Sequence, residues 1–167
     1  MTSIKYVYIL VIMREKNKLS QNSMETPDYA ATCACFNLRK ASRVITSLYD
    51  DYMRPAGLRS TQVMLLMALE KAGPVTVMRL SDFLLLDRTT LTRDLKLLER
   101  QGLVSITEGE DRRRRYIALT PEGRVMLSSA LPLWEQAQTH VRMNMGDDRY
   151  EALLGNLSDV VKLNRKA

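Results

Sequence analysis

Apolar residues recur along this chain with a helical period through most of its length. From Asp28 to Tyr52 the positions Ala34, Leu38, Ala41, Ile45, Leu48 and Tyr52 fall three and four apart, one stripe of a long amphipathic helix. Pro55 and Gly57 stop it. Ser60 or Thr61 is placed to cap a second helix carrying Val63, Leu66, Met67 and Leu69, which Gly73-Pro74 ends. Thr76 then caps a short third helix with Val77, Leu80, Phe83 and Leu84 on one face, and Leu85-Leu86-Asp87 leads tightly into a fourth that stops at Gly102. Next, Leu103–Thr107 and Tyr116–Thr120 alternate in the period-2 manner of half-buried strands, around a polar, arginine-rich turn. Pro121 opens a long helical stretch with Leu127, Leu131, Trp134 and Val141, in which Pro132 predicts a kink. Gly146-Asp-Asp begins a last helix with Leu153, Leu157, Val160 and Val161. The expected fold is mainly α with a small β-hairpin, an α+β arrangement.

Composition narrows the function. A single His140 and seven scattered glycines leave no parts for a His-pair zinc site, a dinucleotide-binding loop or a phosphate loop. No metal, cofactor or catalytic role is expected, and a thiol enzyme built on Cys35 lacks a supporting motif. Two cysteines make no disulfide framework and fit a cytoplasmic protein. Residues 4–13 form the longest apolar run. It is far short of the ~20 residues that span a bilayer, so no membrane association is expected. Residues 1–27 read as an N-terminal extension, with Met24 a candidate start of the natural protein.

Charge informs through placement. The net charge is +6. Lys5, Arg14, Lys16 and Lys18 against Glu15 put +3 of it before Met24, and the nine cations from Thr76 to Thr120 face seven acids, only +2. Along the fourth helix, however, Leu91, Leu95 and Leu98 share one edge, while Thr89, Arg93, Lys96 and Arg100 lie about 140–200° away. Two short helices joined tightly and followed by a hairpin are the order of a winged helix-turn-helix. The start of the second helix of such a pair suits a phosphate and can enter a major groove. Arg88, Thr89, Thr90, Thr92, Arg93, Lys96 and Arg100 are candidate contacts there. Arg112, Arg113, Arg114 and Arg115 crowd the hairpin, where a narrow minor groove would attract them. Double-stranded DNA is the expected partner; an acidic protein surface is the alternative.

The stretches Asp87-Arg-Thr-Thr-Leu-Thr-Arg-Asp-Leu-Lys-Leu-Leu-Glu-Arg-Gln-Gly-Leu-Val104 and Asp111-Arg-Arg-Arg-Arg-Tyr-Ile-Ala-Leu-Thr-Pro-Glu-Gly123 resemble the MarR family of bacterial transcription regulators. The resemblance covers about residues 28–165. It implies a homodimer, with a helical dimerisation region from 28–58 and 121–165. It also implies a winged helix-turn-helix lobe at 59–120, with recognition helix 87–101 and wing 103–120, whose signature falls on Asp111 and Arg113. Members usually repress from a pseudo-palindrome and are released by a small phenolic effector or by thiol oxidation. Cys35, in Ala-Cys-Phe-Asn-Leu, resembles the reactive segment of the family's hydroperoxide sensors, with Tyr49 at the matching spacing. Two further tyrosine positions of those sensors fall on Arg39 and Ser60. Fourteen helical residues rise ~21 Å, so Tyr49 could meet only a partner's Cys35. Cys33 and Cys35 are two apart on the first helix and so point ~200° from each other, against a disulfide or shared metal. The competing reading makes both cysteines small buried hydrophobes. Met64 and Met67 are expected in the core, and the effector site is not assigned.

Overall fold

The computed structural model describes residues 29–108 and 115–163. The elements are α1 (Tyr29–Thr32), α2 (Ala34–Met53), a 3-10 turn (Arg54–Ala56), α3 (Ser60–Ala72), β1 (Val75–Thr76), α4 (Val77–Leu84) and α5 (Arg88–Arg100). They continue with β2 (Val104–Glu108), β3 (Arg115–Leu119), α6 (Pro121–Met145) and α7 (Asp147–Leu163). The chain divides into two compact units, one ending at Ala41 and the other spanning Ser42–Ala167. Among the described residues no helix is long and apolar enough to cross a membrane.

The first expected helix is broken. Cys33 is not helical, and it separates α1 from α2. The Asn37 side-chain amide donates to the carbonyl oxygens of Ala30 (3.0 Å), Ala31 (3.1 Å) and Cys33 (2.9 Å), bonding to acceptors that a continuous helical ladder would use. The Cys33 Sγ in turn accepts the Phe36 N–H at 3.5 Å, in the manner of a helix N-cap. The ~200° separation of Cys33 and Cys35 assumed one unbroken helix, so that argument does not hold for this geometry.

In the second unit the core is built around Met53, Leu66, Leu69, Leu80, Leu91, Leu95, Leu98 and Ile117, each 1% exposed or less. Their apolar burial, worth roughly 1.5–3 kcal/mol for a large side chain, is what fixes the lobe. The cap of α3 falls on Arg59 rather than Ser60 or Thr61. The Arg59 N–H donates to Gln62 Oε1 at 2.8 Å, while both the N–H and the hydroxyl of Ser60 go to Asp50 Oδ1 at 2.7 Å. Met67 packs against the core as expected, but Met64, one turn before it on α3, is exposed.

The hairpin is part of a larger sheet. Val75 and Thr76 pair with Ile117 and Tyr116, giving a three-stranded antiparallel order β1-β3-β2 instead of the two expected strands. β2 and β3 pair from Val104↔Leu119 to Glu108↔Arg115. Thr76 also caps α4, its Oγ1 accepting the Arg79 N–H at 3.3 Å. Thr120 caps α6 through Gly123 N–H at 2.9 Å, and α6 continues past Pro132 to Met145. α7 has no buried residue.

Candidate nucleic-acid interface

The turn into α5 depends on two residues. Leu85 adopts φ 53°, a left-handed conformation that lets the chain reverse within Leu85–Asp87. Asp87 then caps α5, its Oδ1 accepting the Thr90 N–H at 2.8 Å. Hydrogen bonds from the Thr90 side chain and then its backbone hold the Asp87 carboxyl below the ordinary aspartate range.

Burying Leu91, Leu95 and Leu98 forces the opposite face of α5 outward. Arg88, Thr89, Thr92, Arg93 and Lys96 line one shallow cleft of about 460 Å³. Arg93 lies 3.6 Å from Asp94, but its head is largely in solvent, where such a pair contributes little. Thr90 is half-buried and committed to the Asp87 cap, and it is not among the residues lining this cleft. Arg100 is exposed in the last turn, also away from the cleft. Arg115 is exposed at the start of β3, while Asp111, Arg112, Arg113 and Arg114 lie outside the described residues.

A second cleft, of about 510 Å³, opens where the sheet meets the starts of α4 and α5. Arg79, Arg88 and Arg115 line it together with Pro74–Met78 and Tyr116. Arg79 has no role in the sequence pattern, because it meets Arg115 and Tyr116 only where β3, distant in the chain, folds back beside β1. The β-branched pair Val75-Thr76 was the only signal of the strand that completes the cleft.

Cys33 and Cys35 are both free and exposed, not buried. Tyr49 is half-buried; burial, and then the neighbouring Tyr150, push its phenol above the ordinary tyrosine value. Its hydroxyl therefore stays protonated at neutral pH.

Comparison with known proteins agrees with this architecture. A model of the MarR family matches residues 56–115. The HTH-type transcriptional regulator SarZ of Staphylococcus aureus is 30% identical over 138 residues, 81% of this chain and 91% of SarZ. The chain belongs to the MarR family of transcriptional regulators. It is also similar to the structure of the Mycobacterium tuberculosis transcriptional regulator MosR in complex with DNA. The two are 36% identical, with a TM-score of 0.70, across 80% of this chain and 98% of MosR. The uncharacterized regulator YwoH of Bacillus subtilis is 33% identical over 85 residues, and that match spans 62% of YwoH and 51% of this chain. The fold is that of the family's winged-helix structures, mostly helical with a small three-stranded antiparallel sheet.

Proposed function

We propose that this MarR-family regulator is a cytoplasmic homodimeric repressor that binds double-stranded DNA sequence-specifically and is released from a pseudo-palindromic operator by a small effector. The carrying observation is the division of α5, with Leu91, Leu95 and Leu98 in the core and Arg88, Thr89, Thr92, Arg93 and Lys96 gathered outward on one cleft. Arg93 and the threonines are assigned to base edges. Arg100, Arg115 and the wing arginines Arg112, Arg113 and Arg114 are assigned to the backbone and minor groove, with Asp111 assigned to the wing as the other half of the signature with Arg113. The similar MosR structure is a complex with DNA, which supports DNA as the partner.

The dimer is supported by unpartnered apolar surface. Leu154, Leu157, Val160, Val161 and Leu163 on α7 are exposed in the single chain, as are Phe36, Leu38, Val44 and Ile45 on α2. Two-fold symmetry would place the half-sites ~34–36 Å apart. The deciding experiment is selection of bound fragments from genomic DNA, followed by footprinting. Two protected half-sites one helical turn apart are expected, and binding without sequence preference overturns the assignment.

Thiol control is a second reading, favoured by the exposure of both cysteines and by the role of the Cys33 sulfur at the start of α2. Oxidant then releases wild-type protein from DNA, with Cys35 the reactive group and Tyr49 its candidate partner. A Cys35→Ser variant that releases DNA as readily as wild type would exclude Cys35.

A further inference from the structure

We propose that Gln62 is a positioning residue for DNA recognition: its buried amide ties α3 to the end of α5 and sets the tilt at which α5 meets the groove. The proposal rests on the assignment of α5 to DNA. Gln62 is the third residue of α3 and only 6% exposed. Its Oε1 accepts the Arg59 N–H at 2.8 Å, and its Nε2 donates to Gln101 Oε1 at 3.2 Å. The first bond fixes which way the amide faces, because a backbone N–H can be met only by the oxygen. The nitrogen is thereby aimed at Gln101, the residue that follows the last turn of α5. Capping the start of α3 needs only the oxygen, and a glutamate would supply it. The donor half of the amide serves the bridge alone. Burying that donor costs stability relative to a hydrocarbon of the same size, and only its bond to Gln101 offsets the cost.

Both ends of this bridge are anchored. The start of α3 is held to α2, where Asp50 Oδ1 accepts the N–H and the hydroxyl of Ser60 at 2.7 Å. Directly after Gln101, the Gly102 carbonyl accepts the Thr120 hydroxyl at 2.6 Å, at the start of α6. The leucine stripe of α5 supplies burial, which is non-directional and does not by itself fix a tilt; a hydrogen bond has a direction. Asp87 caps the other end of α5, but within its own turn. Thr89, assigned to a base edge, stands ~18 Å along the helix axis from Gln101, so a tilt of ~3° at the Gln101 end moves it by about 1 Å. Hydrogen bonds to base edges tolerate less, because their donor–acceptor distances span only about 2.7–3.2 Å. Attraction to phosphate falls off gradually with distance and changes little over such a shift. Loss of the bridge therefore lowers sequence discrimination while general DNA affinity remains.

The test uses the full chain with two labelled duplexes, its selected operator and an unrelated sequence, at one salt concentration. Gln101→Met removes the acceptor from an exposed position. It should lower the ratio of operator to unrelated affinity about tenfold, close to the loss of one base contact, and keep affinity for the unrelated duplex within about twofold. Gln101→Glu keeps an acceptor and should hold the ratio within about twofold of wild type, although its charge at the C-terminal end of α5 lowers stability. Gln62→Met removes the amide itself, and adding Gln101→Met to it should lower the ratio no further. If Gln62→Met does not fold, the two Gln101 variants decide alone. A ratio unchanged in Gln101→Met, lowered as much in Gln101→Glu, or lowered further in the double variant would each overturn the proposal. Residual dipolar couplings of the free protein add a readout that needs no DNA: the orientation of α5 relative to α3 should change in Gln101→Met and persist in Gln101→Glu. Failure of wild-type protein to bind any duplex would remove the DNA reading, while the couplings still decide whether the bridge sets the tilt of α5.

Discussion

The α-carbon of Gly123 packs against the backbone carbonyl of Leu103, so closely that a Cβ at this position would overlap the Leu103 oxygen. The same oxygen accepts the Thr120 N–H at 3.2 Å, and the Thr120 hydroxyl donates to Gly102 O at 2.6 Å. The obstructing atoms are backbone, so they cannot turn aside as a side chain would. Gly123→Ala should therefore lower stability by about 1–3 kcal/mol, the usual cost of overpacking. Chemical denaturation checks this, and a variant as stable as wild type would show that α6 can shift off β2 freely.

Leu85 has the opposite problem. It is a branched residue in left-handed backbone with its side chain 51% exposed. Glycine there removes a clash of roughly 1–2 kcal/mol. It gives back part of this in unfolded-chain entropy, for a net gain of about 0.5–1 kcal/mol. An increased denaturation midpoint for Leu85→Gly is the expected reading.

The Asp87 carboxyl titrates lower in the folded chain than in the unfolded chain because Thr90 bonds its charged form. The unfolded state thus binds the proton more readily, and the stabilisation is present above the ordinary aspartate range. It fades as pH falls through the lowered folded value. Asp87→Asn keeps a capping side chain but removes the titration. The gap in melting temperature between wild type and this variant should be open at neutral pH and close in acid. A gap independent of pH would mean that the charge of Asp87 does nothing at the start of α5.

The two DNA roles separate experimentally. Arg115→Ala should weaken binding to all sequences similarly and reduce the salt slope by about one, the signature of a lost phosphate contact. Arg93→Ala should relax preference at one position of the operator, at a cost of about 1–3 kcal/mol for the favoured base. Exchanged behaviours would reverse the assignments.

Residues on α7 test the assembly. Leu157→Glu together with Val160→Glu should yield monomers by sedimentation with helical content little changed, because neither side chain is buried in its own chain. A dimer that survives both charges would place the interface elsewhere.

The legibility of the fold followed the range of the interactions that set it. Leu91, Leu95 and Leu98 declare α5 because one periodic stripe both forms the helix and selects its buried face. The outward cations were readable for the same reason. The break at Cys33 was not, since Ala34, Leu38 and Ala41 keep their spacing while the Asn37 side chain reaches back to the carbonyls of Ala30 and Ala31 before the break. β1 has only two residues, too few for alternation to register, and its strand character comes from pairing with Ile117 and Tyr116. The second cleft was invisible because Arg79, Arg88 and Arg115 become neighbours only after the sheet has closed.

α7 contributes none of its side chains to a buried interior, although leucines and valines run along it. In the proposed dimer those residues are covered only when a second copy arrives, so by mass action the free energy of the covered state depends on how many copies are present. Cellular abundance then becomes an input to the regulator. Dilution as a cell grows would loosen its hold on paired half-sites even with no effector present, and synthesis would restore it.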